Sequence, residues 1–159
     1  MVIDKLSDVS PLYLKDSGIK LIVLDLDNTL SPYGDFYMEK TVLKWIAKAK
    51  KISLEVVVVS NTWSLRGLIA RLIVKVPLFY MAMKPFPFAL WKILTRYGYS
   101  PEDVCIIGDQ LFTDVLMARL AGASFVLVKP LSSRDGPHTR LFRILEKSFI
   151  GKYFLSKIK

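Results

Sequence analysis

Asp25 and Asp27 stand one residue apart at the end of the run Lys20-Leu21-Ile22-Val23-Leu24-Asp25-Leu26-Asp27-Asn28-Thr29-Leu30. The aliphatic residues before them, with β-branched Ile22 and Val23, predict a buried parallel strand. Residues two apart in an extended chain share a face. Both carboxylates would therefore crowd the C-terminal end of that strand, where open α/β sheets bind their ligands. Such crowding is unfavourable unless a cation lies between them. A simple Asp27-Asn28-Thr29 turn would explain the same polar residues without any chemistry, so the rest of the chain has to decide.

Three more strand-like runs end in polar residues. Leu54–Val59 runs into Ser60-Asn61-Thr62, Pro77–Met83 into Lys84, and Val104–Ile107 into Gly108-Asp109 with Asp114 just beyond. Singly, these read as a loop, a solvated charge, a turn and a favourable charge in the first turn of a helix. In a parallel sheet, however, all four exits lie along one edge and converge. The assembled set is an acidic cage, hydroxyl and amide donors at a helix start, and one ammonium. Oxygen ligands select magnesium over zinc, and the chain has one His and one Cys to offer a softer metal. Phosphoryl transfer is the natural use: a carboxylate attacks phosphorus to give an aspartyl-phosphate, and an ammonium balances charge on the phosphoryl oxygens.

The elements that must position these groups follow from the pattern. Met1–Gly18 is a short N-terminal packing arm. Helices are expected from about Met38 to Lys51, from a Ser64 cap to Lys75, from the Lys84-Pro85-Phe86-Pro87 segment to Gly98, and from a Thr113 cap to Gly122. Ser124–Val128 completes five strands. Alternation of strand and helix at this spacing implies right-handed crossovers and an α/β, Rossmann-like three-layer sandwich around a five-stranded parallel sheet. At 159 residues the chain is expected to be a single domain able to bury a core without disulfides. Cys105 falls in a strand and reads as core. Arg71, Lys75 and Lys84 interrupt the most apolar region, and Asp4 and Asp8 do not suit a signal peptide, so a cytoplasmic protein, soluble or peripheral on a membrane, is expected. A net charge of +9 favours anionic partners.

These residues resemble the haloacid dehalogenase (HAD) superfamily of phosphatases. Asp25-Leu26-Asp27-Asn28-Thr29 is similar to its DxDxT motif, Ser60 to its second motif, Lys84 to its third, and Gly108-Asp109 with Asp114 to its acidic fourth. The resemblance implies Asp25 as nucleophile and Asp27 as general acid and base. It implies Ser60 and Asn61 with nearby backbone amides on the phosphoryl oxygens, Lys84 neutralising nucleophile and phosphate, and Mg2+ on Asp25, Asp109 and the carbonyl of Asp27. Asp114 would stand behind these, orienting the metal's water or Lys84. The intervals where the family inserts a cap are too short for one here, which implies an open site suited to a large or embedded substrate. More closely, Gly108-Asp109-Gln110-Leu111-Phe112-Thr113-Asp114 and Val128-Lys129-Pro130-Leu131 resemble the subfamily IIIA branch of YqeG proteins and phosphatidylglycerophosphate phosphatases. The implied reaction yields phosphatidylglycerol. Trp63-Ser64-Leu65-Arg66 departs from the polar stretch expected after the second motif.

From Lys129 onward, eight basic residues stand against two acidic ones. In the tail 134–159, Leu141, Phe142, Leu145 and Phe149 share one helical face and Arg140, Arg143 and Lys147 another. That describes either an interfacial membrane helix, giving contact through 138–159, or a helix docked on the domain with its basic side in water. His138 reads as a solvated loop residue. Phe79-Tyr80, Phe86-Pro87-Phe88, Trp91 and Trp63 read equally as core or as an apolar rim beside the site. Two other functions fit parts of the pattern: a phosphatase of soluble sugar or nucleotide phosphates, and a non-enzymatic anion- or RNA-binding module. The complete acidic set argues against the last, and no nucleic acid is expected as a partner.

Overall fold

The computed structural model describes residues 2–134 and 136. Six parallel strands form one sheet: β1 (Val2–Ile3), β2 (Leu21–Leu24), β3 (Glu55–Val59), β4 (Leu78–Phe79), β5 (Val104–Gly108) and β6 (Ser124–Val128), in the order β1-β6-β5-β2-β3-β4. Helices α1 (Pro11–Asp16), α2 (Lys40–Lys51), α3 (Ser64–Val74), α4 (Phe88–Tyr97) and α5 (Leu116–Ala121) cover its two faces.

The strands are apolar throughout because both faces are buried, and successive residues feed opposite cores. Ile22 and Leu24, with Val56, Val58, Cys105 and Ile107, pack against Val42, Trp45, Ile46 and Ala49 of α2 and Ala70 and Val74 of α3. Leu21 and Val23, with Val57, Val59, Val104 and Ile106, pack against Leu90, Ile93 and Leu94 of α4 and Met117 and Ala118 of α5. Three layers result. Cys105 is one of the core residues, and burial pushes its thiol up to about 12, so it stays protonated and inert at neutral pH.

The structure departs from the pattern-based expectation in several places. The sheet has six strands, not five, because the N-terminal arm adds β1 beside β6, pairing Val2 with Leu127 and Ile3 with Val128. Two residues are too few to show a periodicity. The same arm forms α1, with Pro11 at its first position and Ser10 Oγ accepting from the Tyr13 amide at 3.3 Å. Trp45 Nε1 donates to the Val9 carbonyl at 2.6 Å and ties the arm to α2. The strand expected over Pro77–Met83 is only Leu78–Phe79, because Met81 and Met83 take positive φ values of 52° and 59° and turn the chain back over the sheet edge. Trp63, not Ser64, holds the N-cap position of α3.

No helix among the described residues is long and apolar enough to cross a membrane. No cap interrupts the described chain between β2 and α2 or between β3 and β5. His138 and nearly all of the tail 134–159, including Arg140, Arg143 and Lys147, lie outside the described residues. Arg134 is described, and its Nη2 meets Asp35 Oδ2 at 2.8 Å.

Candidate active site

From β2 the chain winds outward through β3 and β4 on one side, then returns to start β5 and β6 on the other. The switch point of such a sheet leaves a crevice beyond the carboxyl ends of its central strands. β2, β3 and β5 deliver Asp25, Ser60 and Asp109 into that crevice, each nearly inaccessible to solvent.

Lys84 is the centre of the arrangement. It is buried, and its Nζ ion-pairs with Asp25 Oδ1 and, at 2.6 Å, with Asp114 Oδ1. Burial alone would lower its pKa, but the carboxylates of Asp114 and Asp25 outweigh that and hold the ammonium charged above its usual range. Burial, partly opposed by Lys84 and reinforced by Asp114, Asp109 and Asp27, raises the Asp25 carboxyl well above the ordinary carboxylate range. Oxygens of Asp25, Asp109 and Asp114 all lie within 4.8 Å of one another. Three carboxylates around one ammonium carry an excess of two negative charges when all are ionised. Hard oxygen donors and that excess fit one divalent cation.

Local backbone geometry explains how the chain brings these groups together. A π-helical turn over Leu111–Val115 precedes α5, with the Val115 amide reaching back to the Gln110 carbonyl at 3.3 Å. Thr113 sits inside this turn, its hydroxyl on Gln110 Oε1 at 3.3 Å, and it is not the helix cap that its sequence position suggested. The turn lays the Asp114 side chain over Gly108, where any Cβ would collide with the carboxylate. Asp114 Oδ2 also accepts the Gln110 amide at 3.2 Å, so both of its oxygens are held by protein donors. Thr29 Oγ1 donates to Asp109 Oδ1 at 3.3 Å, linking the first acidic loop to the last.

Asn61 has its side chain on the backbone of Lys84. Its Nδ2 donates to the Lys84 carbonyl at 3.0 Å, and its Oδ1 accepts the Lys84 amide at 2.7 Å. Of the two residues expected on phosphate, Asn61 is thus seen gripping the lysine. Ser60 remains in the crevice, its Oγ accepting the Thr62 amide at 3.1 Å. Amides of Ala82 and Met81 bond the carbonyls of Ser60 and Thr62 at 3.0 and 3.2 Å, which fastens the Lys84 loop to the Ser60 loop.

The Asp27 carboxylate does not join the acidic group. Arg66, in the first turn of α3, donates to Asp27 Oδ1 from Nη2 at 2.7 Å and from Nε at 3.0 Å. Its Nη1 donates to the Asp35 carbonyl, and its guanidinium lies 5.6 Å from the centre of the Phe36 ring. Arg66 is the residue at this site that sequence reasoning passed over. The available signal was a lone cation on a helix that is otherwise apolar around its start, directly after the second motif. Asn28, between the two aspartates' turn and Thr29, takes a φ of 62°. Its side chain accepts from Ser132 Oγ at 2.7 Å and from the Tyr33 amide at 3.1 Å.

Comparison with known proteins matches residues 81–139 to a HAD-hydrolase-like family model. The chain is 32% identical over 142 residues to the "Probable phosphatase YqeG" of Bacillus subtilis (strain 168), covering 89% of this chain and 83% of that one. Among solved structures, an uncharacterized protein from Listeria monocytogenes serotype 4b superposes with a TM-score of 0.60 at 13% identity, covering 75% of this chain and 85% of that one. The cobalt-bound deoxy-D-mannose-octulosonate 8-phosphate phosphatase of Haemophilus influenzae gives 0.55 at 18% identity, covering 69% of each chain. At such identities the structural likeness speaks for the fold.

Proposed function

The chain belongs to the YqeG family of HAD-like phosphatases, and from that premise we propose that it is a Mg2+-dependent phosphomonoesterase that removes the terminal phosphate of phosphatidylglycerophosphate through a phosphorylated Asp25. The observation that carries the chemistry is the buried Lys84 ammonium bridging Asp25 and Asp114 at the mouth of the switch-point crevice.

In this reading Asp25 attacks phosphorus through one carboxylate oxygen. A P–O bond forms to Asp25 as the bond to the lipid oxygen breaks, and Asp27 gives its proton to the departing alkoxide. Asp27 then takes a proton from water, which attacks the same phosphorus and returns Asp25 as a carboxylate with inorganic phosphate as product. Lys84 offsets charge on the phosphoryl oxygens throughout. Ser60 accepts the Thr62 amide, which leaves its hydroxyl proton for a phosphoryl oxygen. Asp25, Asp109 and the Asp27 carbonyl would hold Mg2+, which when bound supplies Lewis-acid stabilisation of the same oxygens. Asp114, with both oxygens on protein donors, fixes Lys84.

The lipid assignment is supported by the capless crevice among the described residues, by the net charge of +9, and by aromatic residues that stand exposed beside Lys84. Phe86 stacks on Phe88 and Phe88 meets Trp91 edge-on, each with ring centres 5.8 Å apart, in a partly exposed aromatic cluster. The test is phosphate release with Mg2+ from phosphatidylglycerophosphate in mixed micelles, against a panel of soluble sugar and nucleotide phosphates, with Asp25→Asn protein as the blank. Strong selectivity for the lipid is expected. Equal or better turnover of a soluble ester would keep the chemistry and overturn the substrate.

A further inference from the structure

Helix α3 is apolar on the side that faces away from the protein. Ala70 and Val74 point into the core, yet Leu65, Leu68 and Leu72 are exposed, Leu72 at 71%. At about 100° per residue these three leucines fall within one narrow stripe, and Arg71 and Lys75 border it. Apolar residues on a helix normally face a core; on α3, which flanks the edge strand β4, these leucines stay exposed among the described residues. Just ahead of it, Trp63 is 85% exposed. The Thr62 carbonyl joins Trp63's loop to Met81, and Gly67 packs so closely on Tyr80 that a Cβ there would come within 2.7 Å of it. Met81, Met83 and Phe86 of the Lys84 loop, fastened to the start of α3 by these contacts, are exposed as well.

Charge distinguishes what could cover this surface. Residues 56–101 contain six Lys and Arg and no Asp or Glu. Arg66 and Lys84 are paired inside the site. Arg71 and Lys75 meet Arg96 of α4 around a surface cleft of about 410 Å³ at the far end of the stripe. A second copy of the same face would bring cation against cation. The chain's own residues 137–159 carry six Lys and Arg and one Glu, so they would do the same. An apolar stripe bordered by Arg71 and Lys75, with the carboxylate of neighbouring Asp35 already paired to Arg134, matches the interface of an anionic bilayer.

We propose that α3 lies flat in the headgroup region of an anionic membrane. Leu65, Leu68, Leu72 and Trp63 enter the acyl boundary, while Arg71, Lys75 and Arg96 meet lipid phosphates. This deepens the lipid-phosphatase reading and rests on it, because α3 also carries Arg66, so docking sets the mouth of the crevice at the membrane surface.

The experiment uses the full-length chain and two vesicle types, pure phosphatidylcholine and the same lipid with roughly one-third phosphatidylglycerol. The Leu68→Glu/Leu72→Glu variant changes only exposed positions outside the catalytic machinery. It should keep wild-type turnover of a soluble phosphomonoester and lose about tenfold or more of its binding to the anionic vesicles. In a Trp91→Phe background, where the other remaining indole, Trp45, is buried in the core, Trp63 fluorescence should shift to the blue and be quenched by brominated lipid in the wild-type helix and not in the double variant. The inference is overturned if the variant binds as wild type, if neutral vesicles bind as well as anionic ones, or if neither type binds. Loss of binding only on neutralising Arg140, Arg143 and Lys147, with Trp63 unquenched, would also overturn it by placing the contact in the tail. Failure of the substrate reading would look different: α3-dependent vesicle binding would persist while phosphatidylglycerophosphate was not hydrolysed.

Discussion

At the level of single residues, three carboxylates and one ammonium share a buried crevice. Asp25, Lys84 and Asp109 were legible as candidates because each closes a strongly apolar run, where a charged residue has no packing reason to be, and Asp114 because it follows Asp109 within one turn of chain. Arg66 was not legible, since one arginine early in a helix looks like a solvated charge until its fork is seen on Asp27. Its fit predicts that Arg66→Ala lowers kcat about a hundredfold, the order expected when an acid–base group is left unaligned, and that Arg66→Lys restores only part because a point charge cannot make both contacts. Steady-state kinetics on a phosphomonoester, separated into kcat and KM, check this; an unchanged kcat would refute it. Gly108 is a second residue whose reason appears only in three dimensions. An alanine there meets the Asp114 carboxylate, so Gly108→Ala should cost about 1–3 kcal/mol by thermal unfolding and abolish turnover by displacing Lys84.

Among the elements, the long helices follow from apolar periodicity and capping and the four central strands from unbroken aliphatic runs, and both lie close to their expected positions. What periodicity does not encode are short or irregular pieces whose shape is set by partners distant in sequence. β1 exists because β6 offers an open edge. The Met81–Met83 bend exists because the Ser60–Thr62 loop holds its amides, and the π-helical turn before α5 places Asp114 on Lys84. Asn61 joins two such pieces with paired bonds to the Lys84 backbone. Asn61→Ala should therefore cost about 1–3 kcal/mol of stability and reduce kcat more than tenfold by loosening Lys84. Asn61→Asp, which keeps the acceptor for the Lys84 amide and loses the donor, should fall between. Comparison of unfolding midpoints and kcat across the pair tests whether the clamp acts on Lys84 and not on the fold alone.

At the scale of the whole molecule, the sheet places its charge excess where its strands end, and this couples stability to cation and proton together. Burial and neighbouring carboxylates raise the Asp25 carboxyl despite Lys84. Without a cation, this group favours the folded state while protonated and turns against it as pH rises through its raised value. Mg2+ competes for the same oxygens, so the rise in Tm on adding Mg2+ should be larger at neutral pH than near pH 5, as seen by thermal scans at matched ionic strength. A Mg2+ effect independent of pH would contradict the cluster's role.

A phosphorylated Asp25 would be caught by acid-quenching single turnovers with substrate labelled in its transferable phosphate. The wild-type protein should carry the label transiently on Asp25, and Asp27→Asn should both acquire it more slowly, without an acid for the departing alkoxide, and lose it more slowly, without a base for the attacking water. Asp25→Asn should carry none and turn nothing over. Phosphate release by Asp25→Asn, or turnover by the wild type with no labelled protein at any quench time, would rule out Asp25 as the nucleophile.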